Sequence, residues 1–395
     1  MKAIRIVLFV LVAAAAAYFA FLGIRGKRPD EAPAQPPAQA PDTPDGAKPA
    51  FPETGPAKAP GDGDPGKKPD RPKVALPAPD AGDPSPGTPV AAGASADVTV
   101  PYRTGTKSRY RVSDATLMRD LDTESVDWWE FEWFVTTEVV QGDGTGPARI
   151  RFTIDDFSFK TDTPNFPVMF RAKEPIPALL ENEGLARTLR PQMAILGMPV
   201  EFAIGKGGEV TGVEGADGLN RKFLQVVDEV GAKYVKDAID APTDESLTQK
   251  WTEVLFPPVG GGTLAAGAAR DAKFHLTYNE RWDCVTPGKL RLTHADPSGF
   301  RVEFKGKPGM EELRRTAKSP AAATIQKSQV VSSADSYVAS WRFDTKTGRL
   351  VRGSLQAKYR FDVSRGVVQG ANGQNVPDAS FTNIERLIVT QLLDN

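Results

Sequence analysis

The alternation of apolar and polar residues is clearest from Trp128 to Lys160. Two strand-length runs, rich in aromatic and β-branched residues, are separated there by a loop that contains three glycines. The second run alternates with the period of a half-buried antiparallel strand and shifts its phase by one residue after Asp155. Its apolar positions are Ile150, Phe152, Ile154, Phe157 and Phe159. The pattern predicts a long β-hairpin with a β-bulge in its second strand.

Further strand and helix patterns follow this hairpin. The sequence predicts a first strand before it, a tight hairpin at 198–213 and a series of strands after residue 272. Helical periodicity predicts helices at 176–189, limited by Pro191, at 219–238, and from a cap at Thr243 or Asp244 to Leu255. The expected fold class is α+β: a large curved antiparallel β-sheet, half-barrel-like, with a few helices packed on one face.

Composition divides the chain into three parts. Residues 1–28 are apolar with basic ends, and residues 29–97 are rich in Pro, Ala, Gly and Asp. The stretch from Pro29 to Pro89 holds 18 of the 34 prolines, so it cannot bury enough apolar surface to fold and is expected to be a disordered, extended linker. Residues 98–395 are expected to form a single β-rich domain outside the cytoplasm.

The apolar N-terminus predicts membrane insertion. Residues 6–24 carry no charge and are long enough to span a bilayer as a helix, with Arg25, Lys27 and Arg28 behind them. A cleaved signal peptide is the alternative, with Ala15 to Ala17 as its small-residue cleavage site. The folded part is therefore expected in the periplasm, held by a single anchor in a bacterial inner membrane, or exported if the signal is cleaved.

Several classes of function find no support in the composition. With 49 basic and 50 acidic side chains, the chain lacks the basic excess of a nucleic-acid-binding protein. One cysteine and two histidines argue against a disulfide and a zinc site. No phosphate loop, nucleophile elbow or metalloprotease motif is present. We therefore predict no catalytic residue, no metal and no cofactor.

A stripe of aromatic residues is the one candidate binding site. If the first strand of the hairpin alternates, Trp129, Phe131 and Trp133 share one face, opposite Glu130 and Glu132. Such a stripe could line a pocket for an apolar ligand or stack on sugar rings. The alternative is that these three side chains form the core face of the sheet.

The order of the elements resembles an uncharacterised exported domain family common in planctomycete bacteria. The resemblance covers roughly residues 100–393. It rests on the opening strand, the long hairpin, the segment Val200-Glu-Phe-Ala-Ile with Gly208-Glu-Val-Thr-Gly-Val-Glu-Gly, and the later Trp341-Arg-Phe-Asp-Thr-Lys-Thr-Gly-Arg-Leu-Val. It implies export and supplies no catalytic residue. By fold analogy alone, the architecture is similar to periplasmic lipoprotein carriers with half-barrel sheets.

Three functions remain open on the sequence. The first is a non-enzymatic, membrane-tethered module that binds a lipid-like apolar ligand or an envelope protein in a groove between sheet and helices. The second is a purely structural or interaction domain of the cell envelope with a filled core. The third, an envelope hydrolase, would need perturbed titratable groups gathered in a cleft.

Overall fold

The computed structural model describes a β-rich unit with three helices. The described residues are 89, 91, 94–121, 125–163, 166–174, 183–230, 241–277, 283–310, 327–333, 336–369 and 375–393. The strands are β1 (Ser95–Asp97), β2 (Lys107–Asp120), β3 (Val126–Gln141), β4 (Ala148–Thr163), β5 (Phe166–Arg171), β6 (Pro199–Ile204), β7 (Val210–Glu214), β8 (Thr263–Ala265), β9 (Ala269–Thr277), β10 (Asp283–Asp296), β11 (Gly299–Gly306), β12 (Gly309–Met310), β13 (Lys327–Val331), β14 (Tyr337–Asp344), β15 (Leu350–Gln369) and β16 (Asn375–Leu393). The helices are α1 (Glu183–Ala194), α2 (Ala216–Glu229) and α3 (Asp244–Val254).

Fourteen of these strands form one antiparallel sheet. Its main order is β12-β10-β11-β14-β15-β16-β2-β3-β4-β6-β7, with β9 on β10, β5 on β4 and β13 on β15. The sheet is open, since the described strands β7 and β9 at its two ends do not pair with each other. The prediction of an α+β fold dominated by a large antiparallel sheet is confirmed.

The long hairpin is confirmed together with its bulge. Strands β3 and β4 pair along their length, and the register shifts so that Asp156 pairs with Phe134 while Ile154 pairs with Val135. Asp155 is the extra residue that the bulge accommodates. The shift keeps the apolar residues on both sides of Asp155 on the buried face, as their burial shows.

The outer face of the sheet is polar and carries ion pairs between neighbouring strands. Arg151 bridges Glu138 on β3 and Glu201 on β6, and Arg149 also contacts Glu201. On β2, Arg111 contacts Glu132 of β3. An antiparallel sheet with one face on the core and the other in water shows this alternation.

The core lies on the inner face, around α3. Thr243 caps α3, and it exchanges hydrogen bonds with Ser246 in a capping box. Leu247, Trp251 and Val254 are buried, as the helical periodicity predicts. Helix α3 contacts β15 and β16 in the middle of the sheet and also β7 and β9 at its two ends. The helix is therefore a centre around which distant strands pack.

Two sequence predictions differ from the structure. Pro191 does not limit the first helix but lies inside α1, which continues to Ala194. Pro191 is buried there and donates no backbone hydrogen bond. Ser95–Asp97, placed in the linker by composition, pairs as β1 with β8. This short pairing extends the ordered unit slightly upstream of residue 98.

The described helices include none that is long and apolar enough to cross a bilayer. The N-terminal segment 1–28 and most of the predicted linker lie outside the described residues.

Candidate functional site

The three predicted aromatic residues lie side by side on the inner face of the sheet. Their partners across the ladder on β2 are, in the same order, Thr116, Asp114 and Val112. Directly paired residues of an antiparallel ladder point to the same face. Asp114 therefore points inward with Phe131, next to Trp133.

The three aromatic side chains differ in their exposure. Trp133 is 4% exposed and packs against Phe157 and against Trp251 of α3. Phe131 stacks on Trp133, with ring centroids 5.5 Å apart. Trp129 and Phe131 are half-buried at the margin of the core. The stripe thus begins inside the core and ends at its edge.

Behind this stripe lies a set of charged and hydroxyl side chains that sequence reasoning missed. We call it the charged cluster, and it consists of Asp114, Lys250, Glu253, Tyr337 and Arg386. Helix α3 supplies Lys250 and Glu253, and strands β2, β14 and β16 supply the other three. The Lys250 ammonium lies 3.8 Å from the centre of the Trp133 ring, where a cation is attracted by the ring face.

Arg386 is shared between two carboxyl groups. Its Nε and Nη2 donate hydrogen bonds of 2.9 and 2.8 Å to the two oxygens of Asp114, a bidentate pair. Its Nη1 lies 3.8 Å from Glu253 Oε2. The guanidinium therefore pairs closely with Asp114 and only loosely with Glu253.

The pKa values of the Glu253 and Asp114 carboxyl groups are shifted in opposite directions. Burial raises the pKa of Glu253 to about 8; Arg386 lowers it, while nearby Asp114 adds to the rise. For Asp114, burial favours a higher pKa, but the Arg386 guanidinium holds the pKa below its ordinary value. Glu253 is therefore largely neutral at pH 7, whereas Asp114 carries the charge that Arg386 balances.

Tyr337 completes the cluster from β14. Burial, followed by the neighbouring Glu253, raises the pKa of Tyr337 well above its ordinary value. The hydroxyl is close enough to influence the Glu253 carboxyl. Among the described residues, however, neither the hydroxyl nor Glu253 Oε1 has a hydrogen bond of regular geometry. The Tyr337 hydroxyl still acts on the Glu253 carboxyl as an imperfect hydrogen bond, which lowers the pKa of Glu253.

Side chains of the sheet hold the C-terminal turn of α3 in place. Trp341 Nε1 donates to the Glu253 carbonyl oxygen at 3.2 Å, and Thr390 Oγ1 donates to that of Val254 at 3.0 Å. The last carbonyl groups of a helix have no partner within it. These two buried bonds supply partners and fix the Glu253 side chain beside Arg386.

A signal for the missed residues exists in the strand patterns. Ile384 and Ile388 are buried on β16, so an alternating strand places Arg386 on the same inward face. Asp114 likewise follows Tyr110 and Val112 at two-residue intervals. No local pattern brings these strands to Glu253, since Asp114 and Arg386 are 272 positions apart.

The cluster can hold or release a proton near neutral pH, but it is covered. Aromatic rings surround Trp251 next to it, including Phe152 at 4.5 Å and Trp133 at 6.5 Å. A cavity of about 20 Å³ lies elsewhere, beside Tyr110 and Arg349, with room for about one water molecule. Within the described ranges, no three His, Cys, Asp or Glu side chains are grouped as a metal site would require.

Comparison with known proteins gives no family. No protein-family model matches the chain, and no curated protein does. Among solved structures, it is similar to DynF from the dynemicin biosynthesis pathway of Micromonospora chersina, with 7% identity over 78% of this chain and 89% of that chain and a TM-score of 0.17. OccK5 (OpdH) of Pseudomonas aeruginosa gives 10% identity over 73% of this chain and 98% of that chain, with a TM-score of 0.19. Similarity at this level does not establish a shared fold.

Proposed function

We propose that this chain is a membrane-tethered module outside the cytoplasm that binds an envelope protein through its folded domain and catalyses no reaction. The observation that carries the proposal is the filled interior between α3 and the sheet. A carrier of an acyl chain needs a cavity of several hundred cubic ångströms. In the described core, aromatic rings pack between α3 and the sheet.

The packing around Trp251 shows which side chains fill the space between α3 and the sheet. The ring of Trp251 contacts Phe152 and Trp133, while Phe256, two residues after α3, packs on Phe202 of β6 at 5.1 Å. On the other side, Trp341 stacks on Phe274 at 5.3 Å. Aromatic pairs at these separations are in close contact. Around Trp251 and Trp341 the interior is therefore occupied by side chains of the chain itself.

The contacts of α3 support a half-barrel-like curvature of the sheet. Strands in a sheet are about 4.8 Å apart, so a flat sheet would separate β7 from β9, ten spacings away, by about 48 Å. An 11-residue helix is only about 16 Å long, yet α3 contacts both strands. We infer that the sheet bends around α3, which packs at the centre of its inner face.

The polar outer face supports contact with water rather than with lipid. Ion pairs link β2, β3, β4 and β6 across this face. Exposed ion pairs contribute little stability in water, but unpaired charges would be costly in a bilayer. Such a face suits a domain that stands in an aqueous compartment at the end of a long linker.

The edge of the aromatic stripe favours a second candidate function, the binding of an apolar ligand. Trp129 and Phe131 are half-buried and lie beside Asp114 and Arg386, so an apolar ligand with a polar end could bind at this margin. This site would be shallow and would not require the filled interior to open. It keeps the apolar-ligand function as the second candidate.

A fractionation and mass measurement on the full chain tests both candidates. The chain is produced in its bacterial host, beside a control that lacks residues 1–28. We expect the full chain in the membrane fraction, with its sheet domain digested by protease added to spheroplasts, and the control outside that fraction.

Native mass spectrometry of the gently solubilised full chain then separates the two candidates. Its own mass, or that mass plus a stoichiometric protein, supports the interaction module. A reproducible lipid mass that is lost on denaturation would favour the apolar-ligand candidate. Protection of the domain from protease in spheroplasts would overturn the proposed location.

A further inference from the structure

The cavity beside Tyr110 and Arg349 has a polar wall made of hydrogen-bond donors. It lies between the start of β2, the end of β3, the start of β4 and the turn that joins β14 to β15. Its polar lining consists of the Arg349 guanidinium and the hydroxyl groups of Tyr102, Thr106, Ser108, Tyr110, Thr137 and Thr347. Among the described residues, no Asp or Glu lines it. The wall of the cavity is therefore positively charged.

Arg349 lines this cavity with a donor that lacks an acceptor. Its Nη2 donates a hydrogen bond of 2.6 Å to the Lys107 carbonyl oxygen, which holds the guanidinium against the start of β2. Its Nε is buried and has no hydrogen-bond partner in the part of the chain that the structure describes. No carboxylate of a described residue forms an ion pair with this guanidinium. An unmade hydrogen bond from a buried charged group is costly, so the cavity favours an occupant that accepts one.

The two tyrosine hydroxyl groups of the wall are protonated donors at neutral pH. Burial raises the pKa of Tyr102, and the nearby Tyr110 adds to the rise. Burial also raises the pKa of Tyr110, although Ser108, the Leu350 backbone and Arg349 each lower it. These effects require that the guanidinium and both phenol groups lie near one another. Arg349 Nε and the two phenol groups are therefore available as donors in the same small cavity.

A small anion suits this wall better than a water molecule does. The cavity of about 20 Å³ admits one water molecule or an ion of similar size, and it leaves no room for a phosphate ester or an organic acid. Water accepts about two hydrogen bonds and brings no charge. A monovalent anion accepts from several donors at once and balances the guanidinium, and charge-assisted hydrogen bonds of this kind are the stronger ones.

We propose that this cavity is a binding site for one small monovalent anion of the size of chloride, with Arg349 Nε and the hydroxyl groups of Tyr102 and Tyr110 as its donors. The anion connects the β14–β15 turn, which carries Arg349, to β2 and the segment before it, which carry the tyrosines. Because it binds the folded chain, it stabilises that state increasingly as its concentration exceeds the dissociation constant. The site is independent of the proposed binding of an envelope protein.

The stability of the solubilised full chain in different salts tests this site. Thermal unfolding is compared in sodium chloride and sodium gluconate at equal ionic strength, because gluconate is too large for the cavity. We expect the midpoint to be about 2 °C higher in about 150 mM chloride than in gluconate, and to rise further with the logarithm of the chloride concentration. The chloride NMR signal should also broaden when the protein is added, and bromide should compete for the site.

Three variants separate this cavity from general effects of salt. Arg349→Gln removes the charge and the Nε donor, so the difference between chloride and gluconate should disappear. Tyr102→Phe keeps the ring and loses one donor, so its affinity for chloride should fall by about fivefold or more. Lys346→Gln removes an exposed charge from the same turn and should respond to chloride as the wild type does. If R349Q does not fold, the comparison of Y102F with K346Q tests the same site.

Equal midpoints of the wild type in chloride and gluconate would overturn the proposal and would mean that the cavity holds water. A chloride effect of the same size in the wild type, R349Q and Y102F would also refute it, because the ion would then bind elsewhere. A loss of the effect that is as complete in K346Q as in R349Q would show screening of surface charge instead of a site.

Discussion

At the scale of single residues, Glu253 makes stability depend on pH in a defined direction. Its pKa is about 8 in the folded chain and near 4.5 when unfolded. Between these values the folded state holds a proton that the unfolded state has lost, so stability decreases as pH rises. The full difference amounts to at most about 5 kcal/mol, and it is present below pH 4.5 and lost above pH 8.

The Glu253→Gln variant should remove this dependence. We expect the free energy of unfolding of E253Q, from urea titrations at pH 5 to 9, to lack the decline shown by the wild type. At pH 9 the variant should be the more stable of the two, by about 2 kcal/mol or more. Asp114 acts in the opposite direction and only at acidic pH, so this range avoids it. Parallel curves for the two proteins would contradict the assignment.

A second variant tests how Arg386 is shared. Asp114→Asn removes a negative charge that raises the pKa of Glu253 and leaves Arg386 free to favour the Glu253 carboxylate. We expect the pH midpoint of the stability curve to move below that of the wild type. We also expect a loss of about 2 kcal/mol from the weakened pair.

Asp271→Asn is the matched control for this substitution. It alters an exposed pair with Lys289 and should change stability by less than about 0.5 kcal/mol, with no shift of the midpoint. A midpoint in D114N that stays in place or rises would show that the two carboxyl groups are not coupled.

Sequence patterns predicted the shared face of the aromatic stripe but not the charged cluster. Alternation placed Trp129, Phe131 and Trp133 on one face correctly, because a strand has a fixed period of two. Glu253 was not predictable in this way, since it lies about 200° around the helix from Trp251, on what appears as the polar side. A helical wheel assumes packing on one side, whereas the last turn of α3 is buried on all sides.

At the scale of elements, the turn between β14 and β15 depends on Gly348. This residue has a φ of +71°, and a Cβ built there would lie 2.6 Å from the Pro101 carbonyl oxygen. We expect Gly348→Ala to cost about 3 kcal/mol, because it combines backbone strain with a clash against main chain.

Gly267 offers a control with the same backbone and no clash. Its φ is +78°, and a Cβ there would meet no atom within 4 Å. Gly267→Ala should therefore cost only about 1 kcal/mol, the strain alone. Urea titration of both variants measures the difference, and equal losses would show that the contact with Pro101 relaxes freely.

Local elements were predicted well and their ends poorly. The long hairpin, its bulge and the cap of α3 follow from residues close together in sequence, and all three are confirmed. The apolar patterns predict strand ends at Val112 and Phe361, but β2 runs to Asp120 and β15 to Gln369 because pairing with β16 continues beyond those patterns. The strand order, which places β16 beside β2, has no local signal.

At the scale of the whole molecule, α3 links strands that are far apart in the sheet. Trp251 is fully buried and packs on rings of β3 and β4, and the Glu253 carbonyl of the same helix turn accepts a hydrogen bond from Trp341 of β14. An open sheet has no pairing between its ends. Its two halves are joined by the continuous ladder through β15, β16 and β2, and α3 adds a second connection between them on the inner face.

Replacing Trp251 should consequently weaken both halves at once. We expect Trp251→Ala to lower the free energy of unfolding by about 4 kcal/mol, the cost of a large cavity in a packed core. Hydrogen exchange should increase in β3 and β4 and also in β14, although β14 lies four strands from β3 in the sheet order. Trp251→Phe fills part of the cavity and should show the same pattern with a smaller loss.

Trp129→Ala is the comparison at the margin of the core. Trp129 is half-buried and pairs with Thr116 at the margin of the core, so its loss should cost about 1 to 2 kcal/mol and affect exchange near β2 and β3 only. If Trp251→Ala disturbed only β3 and β4, α3 would be packing on one half of the sheet rather than joining the two. A uniform effect on both halves would support the view that this open sheet depends on its central helix for cooperative folding.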